Sequence, residues 1–388
     1  MVFQRAYVRA MGLVPGYRWW RPLVALVLAV VLLLLFAFLF ALPFFFYFHL
    51  VRDGGVPDAL GIQETFEGLR AGGNGALLAR NPLSLLFRVG TVILMIPAIA
   101  LALRLAKLKG LGTLSSVDGH LRWDRLGTYL APAFASVFVI GFALPWVLRL
   151  AGGAGWELPH PRVIPLALVA ILVLVPLQSL AEEYAFRGLL MQVPGSWISA
   201  VWVPVLIQSL LFAAGHRYSL AEQLGVACMG LAMGVLTVRL GGLEAAIALH
   251  CANNLLWLLF GSLFIDDATP NTVNTIDPAL RLAFCLVYAL IALRIAKRRG
   301  WLASDPPDLD ERLALAAGRP VQASGGFSTP PESQGVPAED GGAEVDRDVS
   351  QPSRNLGTTT QDPATPPGPS GHDVPGVSAD IEPHEDLP

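Results

Sequence analysis

Glu182, Glu183 and Arg187, then His216, then His250 and Asn254, are ionisable or amide side chains set within apolar stretches of a chain otherwise suited to lipid. An ionised group at the centre of a membrane helix costs roughly 2.5–3.5 kcal/mol, so such residues persist mainly where they face a bundle interior and serve a purpose. Glu183 and Arg187 stand at i and i+4 with the acid first, the favourable order for a same-face ion pair. Glu182 is rotated away from that pair and has no local partner, which leaves its carboxylate available to hold a water and accept its proton. His250 and Asn254 are also spaced i and i+4, with Asn253 beside them, and two donors on one face can bind an oxyanion. Plainer readings exist for each part. Glutamates can mark the cytoplasmic end of a helix, and a histidine at a helix end such as His216, next to Arg217, is more often interfacial than catalytic. Clusters on successive apolar segments nevertheless imply one shared site.

The elements that must hold these residues follow from composition. The chain is 54% hydrophobic and only 15% charged, with a mean hydropathy of +0.54, outside the range of soluble globular domains. This predicts an all-α, polytopic transmembrane helical bundle. Apolar runs long enough to cross roughly 30 Å of hydrocarbon lie near Leu23 to Phe48, Arg88 to Leu105, Leu126 to Leu148, Val163 to Leu190, Trp197 to Ala214, Leu220 to Leu240, Leu243 to Phe264 and Leu280 to Ala296, about eight spans. The first follows Trp19-Trp20, suited to an interfacial anchor. It is too long for a secretory signal and lacks a small-residue cleavage site, so it is expected to be retained.

Arg5, Arg9, Arg18 and Arg21 precede the first span, Lys107, Lys109, Arg122 and Arg125 follow the second, and Arg294, Lys297, Arg298 and Arg299 close the last. Positive charge marks the cytoplasmic side, which places both termini there. Ile265 to Pro278, with Asp266, Asp267 and Asp277 and no Lys or Arg, reads as an outer loop; Arg52 to Arg80 carries arginines on the outer side, so the rule holds as a bias only. At 1.5 Å per residue, Glu182 and His250 both lie roughly 12–17 Å from the turns at Pro194-Gly195 and Gly241-Gly242. His216 shares that depth if its helix crosses from Pro204, since proline suits a first turn and breaks an interior.

The organisation is thus membrane segments over 1–160, the cluster-bearing segments plus the last span over 161–300, and a tail over 301–388. From about Ser304 the composition turns to Pro, Gly, Ser, Thr, Asp and Glu, which cannot bury enough apolar surface to offset chain entropy and predicts disorder. The acidic tail hides a basic membrane portion, so the net charge of −3 says little about partners, and no nucleic-acid partner is expected. Scarce lysine with abundant Arg, Ala and Gly suggests a GC-rich bacterial genome, hence a bacterial plasma membrane. Cys228, Cys251 and Cys285 show neither CxxC nor secreted spacing and read as small packing residues. Gly230 and Gly234 form a GxxxG pattern that allows close helix approach and leaves the oligomeric state open.

Glu-Glu-x-x-x-Arg, Phe-x-x-x-His and His-x-x-x-Asn, in that order on successive membrane segments, resemble the CPBP intramembrane proteases, also called the Abi or type II CAAX prenyl endopeptidase family. The resemblance covers roughly Ile164 to Phe264 and includes the turn Val238-Arg239-Leu240-Gly241-Gly242-Leu243. It implies a helical bundle with a cavity open to cytoplasm and lipid, acting on a protein or peptide substrate in or at the membrane. By motif position Glu182 would be the general base together with His216, His250 and Asn254 would stabilise the oxyanion, and Glu183 and Arg187 would support them. The family is also described as metalloproteases, which would make Glu182, His216 and His250 zinc ligands, a count that zinc accepts. Both mechanisms stay open; the lack of a His-Glu-x-x-His helix favours the metal-free one. Eukaryotic relatives process prenylated CAAX proteins and bacterial relatives are linked to peptide maturation or self-immunity. Two other classes compete: a non-catalytic membrane scaffold, which would need neither an unpaired Glu182 nor the His-Asn pair, and a proton-coupled transporter, for which no inverted repeat is evident.

Overall fold

Apolar runs punctuated by proline and glycine set the helix boundaries throughout. The computed structural model describes residues 5–70, 82–152, 165–216, 219–264 and 278–320, and among these every regular element is helical. The expected acidic loop at 265–278 falls outside them except for Pro278, as do Arg217 and the tail beyond 320. Helix α1 (Arg21–Gly54) opens on Pro22 and closes on Gly55, whose φ of 68° suits glycine and whose N–H reaches the Leu50 carbonyl. It is followed by α2 (Ile62–Arg70), α3 (Pro82–Ile93), α4 (Met95–Leu105) and the single turn α5 (Leu111–Ser115). Next come α6 (Trp123–Ser136) and α7 (Leu144–Ala151), joined by a π-helical stretch, Val137–Ala143. Then α8 (Pro165–Glu183) and α9 (Leu190–Gly195) flank a second π-helical stretch, Tyr184–Leu189. The chain continues through α10 (Trp202–Ala214), α11 (Leu220–Leu240), α12 (Glu244–Phe264), α13 (Pro278–Arg299) and α14 (Leu309–Ala316).

Among the described residues, 6 helical stretches are long and apolar enough to cross a membrane: Arg21–Gly54, Leu83–Leu105, Trp123–Leu148, Pro165–Gly195, Leu220–Leu240 and Pro278–Arg299. The other two expected spans are shorter apolar helices, Trp202–Ala214 and Glu244–Phe260. Six of the about eight expected spans are thus matched by such stretches, and the other two expected segments are also helical. Helix α10 starts at Trp202 and not at Trp197, with Pro204 inside its first turn, where proline is tolerated. Helix α12 is the central element: it packs on α6, α8, α11 and α13, and its residues from Glu244 to Asn253 are all buried. Helix α1 is the opposite case, with Leu34, Phe38 and Phe46 exposed, an outer face whose natural solvent is lipid.

The turn that sets the register of α12 is bolted in place. Ser219 and Glu222 form a capping box at the start of α11, and Gly241, at φ 64°, ends it. Arg122 then grips Glu244 in the first turn of α12 through two bonds, Nε to Oε1 at 2.8 Å and NH2 to Oε2 at 2.6 Å. The same NH2 donates to the Leu240 carbonyl at 3.1 Å. Backbone bonds from Val117 to Gly241 and from Leu243 to Ser115 complete the joint. The GxxxG pair lies against α10: a Cβ on Gly230 would meet the Ser209 Cα at 3.2 Å, and one on Gly234 would meet the Gln208 amide at 2.6 Å. The close approach expected of that pattern is present.

The described residues belong to one compact unit. The order expected to end near residue 301 runs further. Trp301 meets Tyr129 edge-on and lies under the Arg125 and Arg299 guanidinium groups. Leu309 and Leu313 of α14 bury against Ala6 and Leu13, and Asp305 accepts the Arg5 and Ala6 N–H groups at 2.7 and 2.8 Å. Composition pointed to disorder here, but two leucines one turn apart and a carboxylate that caps the N-terminal segment override it. Residues 321–388 lie outside the described part.

Candidate active site

The acid cluster sits where the α-helical hydrogen-bond pattern fails. Glu182 and Glu183 end α8, and Tyr184–Leu189 continues as a π-helix. Such single wide turns are rare and often found at functional sites. Neighbouring segments of the same chain hold this turn. The Tyr7 hydroxyl, fully buried, shares its one proton between the carbonyls of Leu114 at 2.6 Å and Arg187 at 3.2 Å. Tyr184 shares a hydrogen bond with Ser115 at 2.8 Å, and the Gln192 amide donates to the Thr113 carbonyl at 3.0 Å. Gly188 permits the contact, since a Cβ there would meet Leu114 at 3.1 Å.

Around this turn the ionisable groups converge. Arg187 donates to Glu183 Oε1 at 2.8 Å, with both side chains fully buried. His250, on α12, places Nδ1 2.6 Å from the same Glu183 oxygen and Nε2 3.2 Å from Glu182 Oε2. One imidazole therefore spans both carboxylates. Glu182 Oε1 accepts from the Gln178 amide at 2.7 Å, and Oε2, although beside His250, has no aligned hydrogen-bond partner among the described residues. Asn254 donates to Gln178 Oε1 at 3.1 Å and accepts from Asn253 at 2.8 Å. Phe212 lines one side, with the Arg187 guanidinium 4.2 Å from its centroid and the rings of His216 and His250 edge-on at 4.9 and 5.6 Å.

Glu182, Glu183, Arg187 and His250 thus meet, Asn254 joins them through Gln178 and His216 stands on the far side of Phe212, with two differences from the expected contacts. Glu182 does have a local partner, Gln178, one helical turn earlier. Nor do His250 and Asn254 present idle donors: both ring nitrogens of His250 face carboxylates, and one Asn254 N–H is taken by Gln178, leaving the second. His216 lies just past α10, half-buried, with Nδ1 2.7 Å from the Phe212 carbonyl. It is joined to His250 through Phe212, whose ring both histidines meet edge-on. Both histidines commit Nδ1 to an oxygen, as metal-binding histidines do. Among the described residues, however, no three His, Cys, Asp or Glu side chains are placed to hold a metal ion together. The set Glu182, His216 and His250 does not fit zinc as it stands.

The profile of the type II CAAX prenyl endopeptidase Rce1-like family matches residues 164–256. An uncharacterized 24.3 kDa protein of Escherichia coli is 34% identical over 190 residues, covering 46% of this chain and 81% of that protein. The chain belongs to the Rce1-like family. A second relative of this Rce1-like chain, the uncharacterized protein YyaK of Bacillus subtilis strain 168, is 27% identical over 218 residues, covering 52% of the chain and 72% of that protein. No solved structure matches. Membership of the Rce1-like family, with its apolar helices, makes this an integral membrane protein of an intramembrane protease family. The matched stretch runs from α8 into α12 and so contains every ionisable group of the cluster. Sequence reasoning missed Gln178, whereas Phe212 already opened the Phe-x-x-x-His motif. Gln178 precedes Glu182 by four positions, the same spacing that revealed Glu183 and Arg187, and Phe212 precedes His216 by four.

Proposed function

We propose that this protein is an intramembrane endopeptidase that cleaves a membrane-associated protein or peptide by attack of water activated by Glu182 and His216. The reading rests on one observation above all: a carboxylate oxygen, Glu182 Oε2, buried beside His250 without an aligned hydrogen bond, in a cluster where the neighbouring carboxylate is already tied to Arg187. Glu182 takes the proton of the attacking water as the water oxygen bonds to the scissile carbonyl carbon. The oxyanion is met by the second N–H of Asn254 and by His250 Nε2, which stands 3.2 Å from Glu182 Oε2 without an aligned hydrogen bond to it. Glu182 then returns the proton to the leaving amine as the C–N bond breaks. Glu183 and Arg187 act through position: the pair fixes Glu183, and Glu183 fixes the His250 ring through Nδ1. No step passes through a metal.

The family's description points to a substrate with a prenylated C-terminal CAAX box; a bacterial source, suggested by composition, favours a non-prenylated peptide near the membrane surface. Peptide mass spectrometry on membranes holding wild-type or Glu182→Ala protein tests the proposal. New peptide ends should appear only with the wild type, and identical peptide ends in both membranes would refute it. A scaffold predicts that identity.

A further inference from the structure

Gln178 lies outside every motif that marks the family resemblance, yet it joins two residues of the proposed machinery. Its amide N–H donates to Glu182 Oε1 at 2.7 Å while its carbonyl accepts from Asn254 at 3.1 Å. Asn254 in turn accepts from Asn253 at 2.8 Å. The donors all run one way, from Asn253 through Asn254 and Gln178 to the Glu182 carboxylate. A chain of amides with one sense polarises each successive bond, and it ends on the oxygen of Glu182 that does not face His250. We infer that Gln178 is a positioning residue for both halves of the reaction: it pins Glu182 so that Oε2 stays beside His250, and it fixes which end of the Asn254 amide is the donor.

The second effect is specific to an amide. Asn254 can be turned over with little change in shape, and then its oxygen would stand where an oxyanion donor is required. Gln178 Oε1 accepts and cannot donate, and Asn253 donates to the other end, so only one orientation of Asn254 satisfies both neighbours. A glutamine reaches both partners because Gln178 and Glu182 are one turn apart on α8, while Asn254 projects from α12, which packs against α8. A shorter or apolar side chain at 178 would lose at least one of the two contacts.

The inference rests on Glu182 as base, and the test separates the two. With detergent-purified full-length protein and a quenched-fluorescent, non-prenylated peptide spanning a cleavage site that mass spectrometry finds only in wild-type membranes, Gln178→Met should lower kcat roughly 10- to 150-fold, the range for a hydrogen bond to a charged group. KM should stay within about threefold, since the group acts on the reaction and not on binding. Gln178→Glu, which keeps size and the Asn254 acceptor but sets carboxylate against carboxylate, should lose at least as much and stands in if the methionine variant fails to fold. The double variant Gln178→Met with Asn254→Ala should be far from additive. A second measurement needs no substrate: the infrared carboxylate band obtained by subtracting Glu182→Gln from wild type should shift in Gln178→Met protein. Wild-type kcat in either folded variant, or an unshifted band, overturns the role of Gln178. Full activity of Glu182→Gln would instead overturn the reading of the site itself.

Discussion

Glu182 and Glu183 are adjacent, buried and chemically identical, yet the structure assigns them opposite responses to the same substitution. Glu183→Gln removes the charge that holds Arg187, a guanidinium with no exposed surface whose Nε and NH2 already lack partners among the described residues. Breaking one side of a buried ion pair costs about 3–5 kcal/mol. The ring of Phe212, 4.2 Å from the guanidinium, is present in both proteins and so does not change the difference. A net loss of about 3–5 kcal/mol is therefore expected, roughly two to four powers of ten in the folding equilibrium. The glutamine also turns an amide toward His250 Nδ1 and frees the ring. Glu182→Gln keeps the size of the side chain and leaves the Arg187 pair intact, so its folded yield should match wild type while activity drops by about 10²–10⁴-fold, the usual contribution of a general base. Both variants are purified in detergent and compared by size-exclusion yield, thermal melting and cleavage of one peptide. Equal melting of the two, or a stable Glu183→Gln protein, would refute the division of labour drawn between these carboxylates.

Other perturbations reach beyond the site. Arg122→Met strands Glu244, which is 1% exposed, and should cost about 3–5 kcal/mol in a detergent melt; pairing it with Glu244→Leu should recover only part, because the Leu240 carbonyl stays without the guanidinium N–H. Gly234→Leu should lower stability by about 1–3 kcal/mol or more, since its Cβ alone meets the Gln208 amide at 2.6 Å. Truncation after residue 320 should leave insertion and activity intact, whereas truncation after Gly300 removes Trp301, Asp305 and α14 and should lower the melting temperature. Prolonged treatment with a zinc chelator should leave peptide cleavage unchanged; loss of activity that added zinc restores would replace the metal-free mechanism.

How far the sequence could be read depended on whether a contact lay within one helix or between two. Spacing of i and i+4 sufficed for Glu183 with Arg187, and the proline rule placed the start of α10 near Pro204 and so brought His216 toward the other groups. The same spacing joined Gln178 to Glu182, but that link has no charge pair to advertise it, and its other end, Asn254, is 76 residues away. The turn Tyr184–Leu189 was hidden for another reason. A π-helix is a shift in backbone bonding stabilised by distant groups, here the Tyr7 hydroxyl on the Arg187 carbonyl, and side-chain periodicity carries no trace of it. Residues 301–320 show the reverse: their composition argued for disorder, while the pair Leu309 and Leu313, one turn apart, already outlined the buried face of α14.

The adjacency of the two glutamates is itself part of the design of the site. Successive residues on a helix point about 100° apart, so one helix face cannot present both carboxylates to the same partner atom. His250 resolves this because an imidazole offers nitrogens on opposite edges of a flat ring, and it takes Glu183 at 2.6 Å with one and stands 3.2 Å from Glu182 with the other. Arg187 holds Glu183 in place, so the ring is anchored on that side. The looser contact is then the one to Glu182, whose Oε2 is the oxygen left without an aligned bond. A carboxylate that must pick up and return a proton needs such a face, while its other oxygen, held by Gln178 at 2.7 Å, keeps the group from turning away.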